Sequence, residues 1–193
     1  MMQNNPSEVL LTLDRELDHQ VTLVLYGRAA LCLGFDNPPL DFHSTLDVDA
    51  IISLSQLPQL IDDLPFWDAL DRTNRLLQSK GLYLTHLFSE DQVFIRPNWE
   101  RHLVPIARPQ TAHLKLFRPH VLDLILTKMM RGNDDLDMAD IRFLVKQQHV
   151  TSAEMDAALA TVRIPDLAEL QEAFQRAVPS VRAIVAEAQR QGP

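Results

Sequence analysis

The stretch STLDVDAII, residues 44–52, decides the fold of this chain. Its apolar end is typical of a β strand, yet Asp47 and Asp49 lie in it with one residue between them. Aspartate is depleted in strands, and because side chains alternate between the two faces, the two carboxylates point the same way and repel each other. A divalent cation between them cancels that repulsion, and Mg²⁺ prefers such hard oxygen ligands. The stretch therefore predicts a Mg²⁺ site whose protein ligands are Asp47 and Asp49.

A strand that ends in a glycine precedes this stretch. VTLVLY, residues 21–26, is apolar and rich in β-branched residues, which is typical of a strand buried on both faces, and it stops at Gly27. A short helix at residues 28–33 follows. Glycine lets a phosphate approach the backbone closely, and the free N–H groups that begin a helix favour anions. This layout predicts that a nucleoside triphosphate binds between the backbone amides and the metal.

The rest of the chain divides into a mixed part and a helical part. Downstream of residue 52 the pattern predicts helices at 58–64 and 66–79, strands at 82–88, 93–96 and 114–117, and helices from 121 onward. We expect the strands at 82–88 and 93–96 to form a hairpin through SEDQ. The predicted domains are therefore an α/β lobe at 1–118 and a C-terminal helical region at 119–193.

Composition excludes several classes of protein and of site. The 193 residues are 46% hydrophobic, with a net charge of −8, which argues against broad non-specific binding of nucleic acid. No apolar run reaches the ~18 residues that a bilayer span needs, and the N-terminus lacks signal-peptide features, so we expect a cytoplasmic protein with no membrane partner. Cys32 is the only cysteine, which excludes an intramolecular disulfide and a thiolate metal cage. The histidines show no HExxH spacing, and there is no P-loop.

The two motifs together resemble those of a known superfamily. LYGRAALCLGF followed by STLDVDAII resembles the hG[GS]…DxD signature of the nucleotidyltransferase superfamily, which has the fold of DNA polymerase beta. The sequence is more closely similar to bacterial nucleotidyltransferase-like proteins related to the AbiEii-type abortive-infection toxins, where a GGxAL turn precedes a T-x-DxD strand. Lys128, with Asp137 and Asp140 after it, resembles their later lysine and D-x-x-D-like pattern. The similarity spans roughly residues 20–145.

This resemblance implies a fold and an activity. The fold is α+β, a nucleotidyltransferase-type mixed sheet with flanking helices followed by a C-terminal helical region. The activity is Mg²⁺-dependent transfer of a nucleoside monophosphate from a nucleoside triphosphate to a hydroxyl of RNA, protein or a small molecule. A role as the toxin of a toxin–antitoxin pair, with an antitoxin as partner, is left open. The site residues that it implies are Asp47 and Asp49 as catalytic metal ligands, and Gly27, Arg28, Thr45 and Lys128 as nucleotide-binding residues.

Two departures from the superfamily pattern support a second hypothesis. Arg28 stands where a second glycine or a serine is usual. Active members also use a third carboxylate from a later strand, whereas the strands predicted at 82–88 and 93–96 contain no acid; they contain His86, and Glu90 and Asp91 lie in the turn between them. The alternative is therefore a catalytically silent nucleotide-binding or protein-interaction module on the same fold.

Plainer interpretations exist for the same charged residues. Asp47 and Asp49 also suit the exposed face of an edge strand, where acids protect against aggregation. Lys128 suits either the polar stripe of an amphipathic helix or a phosphate contact. Asp137 and Asp140, three residues apart on one helical face, suit a structural ion pair with Lys128 or Arg131 that holds the helical part against the catalytic lobe, and we favour that role. The apolar stripe of the last helix predicts core or a dimer surface.

Overall fold

The chain forms two compact units. The computed structural model describes residues 4–191, apart from the side chain of His86. The first unit consists of residues 4–89 and Leu103–Arg118, and the second of Glu90–His102 and residues 119–191. The chain therefore enters the second unit after Ser89 and again after Arg118. The division into domains at 118/119 stays a prediction.

The first unit contains the sheet. Within residues 4–89 and 103–118 the elements are α1 (Asn5–Glu16), β1 (Val21–Tyr26), α2 (Gly27–Gly34), β2 (Asp47–Ile52), α3 (Leu57–Ile61), α4 (Leu64–Leu77), β3 (Tyr83–Ser89), β4 (Val104–Pro105) and β5 (Leu114–Arg118). A short 3₁₀ helix, Leu40–Ser44, leads from α2 toward β2. The strand that carries both aspartates thus begins at Asp47 itself.

The described strands pair into one five-stranded mixed sheet. Its order is β3-β2-β1-β5-β4. β1 is antiparallel to β2 and parallel to β5, and β2 is parallel to β3. The apolar residues of β1 are buried, with Leu23 and Leu25 fully inaccessible to solvent, and β1 pairs with a strand at each of its edges. The α+β fold with a mixed sheet is confirmed.

The second unit is helical. Its α helices are α5 (Val121–Lys128), α6 (Asp135–Gln148), α7 (Ser152–Thr161) and α8 (Ala168–Gln191). The apolar stripe of α8 is largely buried in this unit, since Phe174, Val181 and Val185 are all shielded from solvent. The C-terminal helical region is therefore confirmed, and this stripe serves as core.

The expected hairpin of strands 82–88 and 93–96 is wrong. β3 ends at Ser89, and the chain turns into a 3₁₀ helix at Glu90–Gln92 within the second unit. Ile95 forms an isolated antiparallel bridge with Arg163. Val93, Phe94 and Ile95 are buried there, so their apolar run reflects packing among helices and not pairing with β3.

None of the helices in the described part of the chain combines the length and the apolar character that crossing a membrane requires.

Candidate functional site

The turn between β1 and α2 depends on Gly27. Gly27 has φ +65°, in the left-handed region that favours glycine. β1 ends at Tyr26 and α2 begins at Gly27, so no loop separates strand and helix. A Cβ atom at Gly27 would lie 3.4 Å from Oδ2 of Asp49. The Asp49 carboxylate therefore lies close to the glycine turn.

The sheet holds Asp47 and Asp49 on one face. Val48, between them, is fully buried, whereas both aspartates are half-buried. Asp49 pairs with Tyr26 on β1 and Asp47 pairs with Tyr83 on β3. Because paired residues in a sheet share a face, β1 and β2 bring the glycine turn and the two carboxylates together. The strand register therefore places Asp49 beside the last residue before the glycine turn.

Neutral groups lie beside the two carboxylates. The Thr45 hydroxyl donates a hydrogen bond to Asp47 Oδ1 over 2.9 Å. One oxygen of Asp49, Oδ1, is buried from solvent. Burial raises the pKa of Tyr26 far above its usual value, and the charges of Asp49 and Asp47 raise it further. The Tyr26 phenol therefore stays protonated next to the acidic pair.

The Tyr26 ring is fixed by an aromatic contact. It meets the Phe88 ring edge-on, with 5.7 Å between ring centroids. Such T-shaped pairs are favoured by the ring quadrupoles. This contact joins β1 to β3 on the face that carries Asp49, and it restricts where the phenol lies.

Arg28 directly follows the glycine and contacts the segment that leads into β2. Its Nη1 lies 3.6 Å from Asp41 Oδ2, and its guanidinium carbon lies 5.3 Å from the centre of the Phe42 ring. Asp41 is exposed, so this ion pair is weak in water. The arrangement places a guanidinium at the first turn of α2, close in sequence to the predicted phosphate-binding turn.

The donor set at the acidic pair suits a hard divalent cation. Mg²⁺ in proteins is usually bound by one or two carboxylates together with substrate phosphates and water. Asp47 and Asp49 supply two carboxylates on one face, beside a backbone that a phosphate can approach. Among the side chains that the structure describes, no group of three or more His, Cys, Asp or Glu could hold a metal. A pair of carboxylates alone fits a cation whose other ligands are phosphate and water.

The two candidates for a third carboxylate belong to the second unit. Glu90 is buried and accepts hydrogen bonds from Trp99 Nε1 and, over 2.9 Å, from Arg163 Nη2. Asp91 is exposed in the same 3₁₀ helix. Neither is part of a metal-binding group within the described residues. His86 pairs with Asp49 through the backbone register, and its side chain lies outside the described part of the chain.

Lys128 lies in a buried charge cluster of the second unit. Its Nζ donates to Asp137 over 3.1 Å and to Asp140 over 2.7 Å, and Arg131 Nε donates to Asp137 over 2.6 Å. Lys128, Asp137 and Asp140 are almost fully buried. The ion pairing expected for these acids is present, and it joins α5 to α6 within the second unit; a role in holding the helical part against the catalytic lobe stays a prediction. A contact between Lys128 and a nucleotide stays a prediction.

Sequence reasoning missed Tyr26, Phe88 and Asp41. The sequence pattern indicated only that Tyr26 is the last residue of a buried strand. Its pairing with Asp49 depends on how β1 and β2 align. The segment of 20 residues between these strands allows several alignments. One signal was available: the only aromatic residue of β1 directly precedes the glycine turn.

Comparison with known proteins identifies a family. The model of one protein family, described as a nucleotidyltransferase of unknown function (DUF6036), matches residues 7–167. No curated protein and no solved structure matches the chain. The matched region includes Gly27, Asp47, Asp49 and Lys128, and it supports the resemblance to the nucleotidyltransferase superfamily. The closer likeness to AbiEii-type toxins stays a prediction. With the glycine turn and the acidic pair on the same sheet, this chain belongs to the nucleotidyltransferase family of unknown function DUF6036.

Proposed function

We propose that this protein transfers a nucleoside monophosphate from a nucleoside triphosphate to an acceptor hydroxyl, with a divalent cation, Mg²⁺, held by Asp47 and Asp49. The observation that carries the proposal is the proximity of Gly27 to the Asp49 carboxylate, whose Oδ2 would lie 3.4 Å from a Cβ atom at residue 27. It puts an open backbone turn and two acids on one face of the sheet. The family match supports the class of reaction.

The residues of the first unit have separate roles in this proposal. Gly27 lets the triphosphate approach the backbone at the start of α2. Arg28, one residue further, supplies a positive charge for the phosphates. Asp47 and Asp49 hold the cation, which when bound neutralises charge on the triphosphate. The acceptor hydroxyl oxygen would form a bond to the α-phosphorus as its proton passes to solvent, while the bond from the α-phosphorus to the bridging oxygen breaks and pyrophosphate leaves. Catalysis of this kind depends mainly on positioning and charge neutralisation.

The acceptor and the biological role follow from the resemblance. We propose a hydroxyl of RNA, protein or a small molecule as the acceptor. The likeness to AbiEii-type proteins adds a proposed role as a toxin controlled by an antitoxin. The net charge of −8 favours an acceptor that binds at a defined site over one held by general electrostatic attraction.

A separate observation favours a second candidate function. Active superfamily members use a third carboxylate, and among residues 4–191 none joins Asp47 and Asp49 in a metal-binding group. Glu90, one of the two candidates, is instead bound by Trp99 and Arg163. This observation favours a module that binds a nucleotide without transferring it.

Thermal unfolding with and without ligand tests binding. We expect a nucleoside triphosphate with Mg²⁺ to raise the Tm of the wild type, since a ligand at a hundred times its Kd stabilises by about 2.7 kcal/mol. Asp47→Asn and Asp49→Asn should lose that response. Asp68→Asn, which changes an exposed acid of α4, is the matched control and should keep it. A wild type that responds to no triphosphate contradicts the proposal.

Transfer of label separates the enzyme from the silent module. The protein is incubated with each of the four triphosphates labelled at the α-phosphate, with Mg²⁺, and with RNA or a cell extract as acceptor. Labelled acceptor, together with release of pyrophosphate and dependence on Asp47, supports the enzyme. Binding without labelled acceptor or pyrophosphate supports the module.

A further inference from the structure

Thr45 occupies a fixed position next to the acidic pair. It directly follows the 3₁₀ helix Leu40–Ser44, and its backbone N–H donates to the Phe42 carbonyl. Phe42 is buried, so this segment is anchored in the core of the first unit. As a β-branched residue, threonine has restricted χ1 freedom. The hydroxyl of Thr45 therefore has a well-defined direction.

That hydroxyl is directed at one ligand of the proposed cation site. Thr45 Oγ1 donates its single proton to Asp47 Oδ1 over 2.9 Å. A proton used in this bond is not available to a phosphate oxygen. The bond also holds one oxygen of the carboxylate, so the Asp47 side chain is orientated before any ligand arrives. Thr45 thus acts on the site through Asp47.

We propose that Thr45 is a positioning residue that orientates the Asp47 carboxylate for a divalent cation. This role differs from the nucleotide contact that the sequence resemblance implies for Thr45, and it rests on the proposed function. Residues that orientate metal ligands typically change metal affinity by about 10–100-fold when they are mutated. The hydrogen bond, and not the methyl group of Thr45, is what matters in this proposal.

Three variants test it. Thr45→Val keeps the shape and the β-branch but removes the hydroxyl. Thr45→Ser keeps the hydroxyl and removes the methyl group. Thr161→Val makes the same chemical change at the exposed end of α7, where the hydroxyl donates to a helix carbonyl, and serves as the control. Each variant is titrated with MgCl₂ and with MnCl₂ at a fixed concentration of nucleoside triphosphate, and the apparent Kd of the cation is taken from the shift in Tm.

The expected result is a weaker cation Kd, by about tenfold or more, in Thr45→Val alone. Thr45→Ser and Thr161→Val should bind within about threefold of the wild type, and without metal all variants should unfold cooperatively at similar temperatures. Wild-type affinity in Thr45→Val overturns the inference, and so does an equal loss in Thr45→Ser, because the hydroxyl is then not the cause. In both cases the proposed function stands if Asp47→Asn still abolishes the response. No cation-dependent shift in the wild type overturns both.

Discussion

Two pairs of aspartates in this protein have the same kind of mutual repulsion, but different groups surround them. Asp137 and Asp140, on a helix of the second unit, are buried and bound by the cations Lys128 and Arg131. Asp47 and Asp49, on a strand of the first unit, are half-buried, and the groups described beside them include the neutral hydroxyls of Thr45 and Tyr26. The first pair has its counter-charge within the protein. For the second pair we propose a counter-charge that arrives with the ligand.

The groups beside an acid help to distinguish a structural acid from a functional one. A buried acid with a cation partner contributes to the packing of its own unit, and loss of the partner leaves an uncompensated charge. Two neighbouring acids on one face raise the free energy of the folded state through their mutual repulsion unless a counter-charge neutralises it. Such locally unfavourable arrangements are concentrated at functional sites. The two pairs should therefore respond to mutation in opposite ways.

The largest effect is expected at Lys128. Lys128→Met removes the cation that both Asp137 and Asp140 bind, so the free energy of unfolding should fall by about 3–5 kcal/mol. Unfolding in urea measures it. Lys146→Met, on the exposed face of α6, is the matched control and should stay within about 0.5 kcal/mol of the wild type. An equally small effect at Lys128 would mean that this cluster is not structural.

Asp14 is an acid whose charge is stabilised in a third way, by backbone N–H groups. Its carboxylate accepts hydrogen bonds from the backbone N–H groups of Ala112, His113 and Leu114. Burial alone would raise the pKa of Asp14, but these backbone hydrogen bonds hold it below its usual value. Asp14→Asn should lower the free energy of unfolding at pH 7 by about 2 kcal/mol, since hydrogen bonds to charged groups are the strong ones.

The pH dependence of this loss has a defined sign. The folded-state pKa of Asp14 lies below the unfolded-state value of about 3.8, so its contribution is present above that value and is lost as the pH falls through the folded-state pKa. Urea unfolding between pH 7 and pH 3 should therefore show a steeper decline in the wild type than in Asp14→Asn. Parallel declines would show that the backbone contacts do not favour the charged form.

The smallest effect, with the opposite sign, is expected at Asp47. Asp47→Asn removes one of two neighbouring charges and keeps an oxygen that can accept from Thr45, so without metal the protein should become more stable by about 0.5–1 kcal/mol. The same variant should lose its response to Mg²⁺ and triphosphate. A loss of 2 kcal/mol or more would place Asp47 with the structural acids and contradict the contrast between the two pairs.

Local patterns in the sequence were sufficient to predict many of the secondary-structure elements of this protein. The strand at 21–26, the glycine that ends it and the strand with two aspartates each depend on the period of apolar residues and on backbone preferences within a few positions. The short strand at 114–117 and the helical C-terminal region could be predicted for the same reason. The acidic pair itself was a sequence feature, because a spacing of two on a strand fixes a common face whatever the partner strands are.

Only the tertiary structure decided what lies next to that pair. The run at 93–96 has the composition of a strand, but its burial among the helices of the second unit overrides that local preference and removes the expected hairpin. The pairing of Tyr26 with Asp49 and of Lys128 with two acids joins residues that are distant in the chain. Local propensity carries no information about such contacts, because they depend on strand register and helix packing. The sequence determined that two like charges stand together, and the fold decided that the hydroxyl of Thr45 donates to one of them.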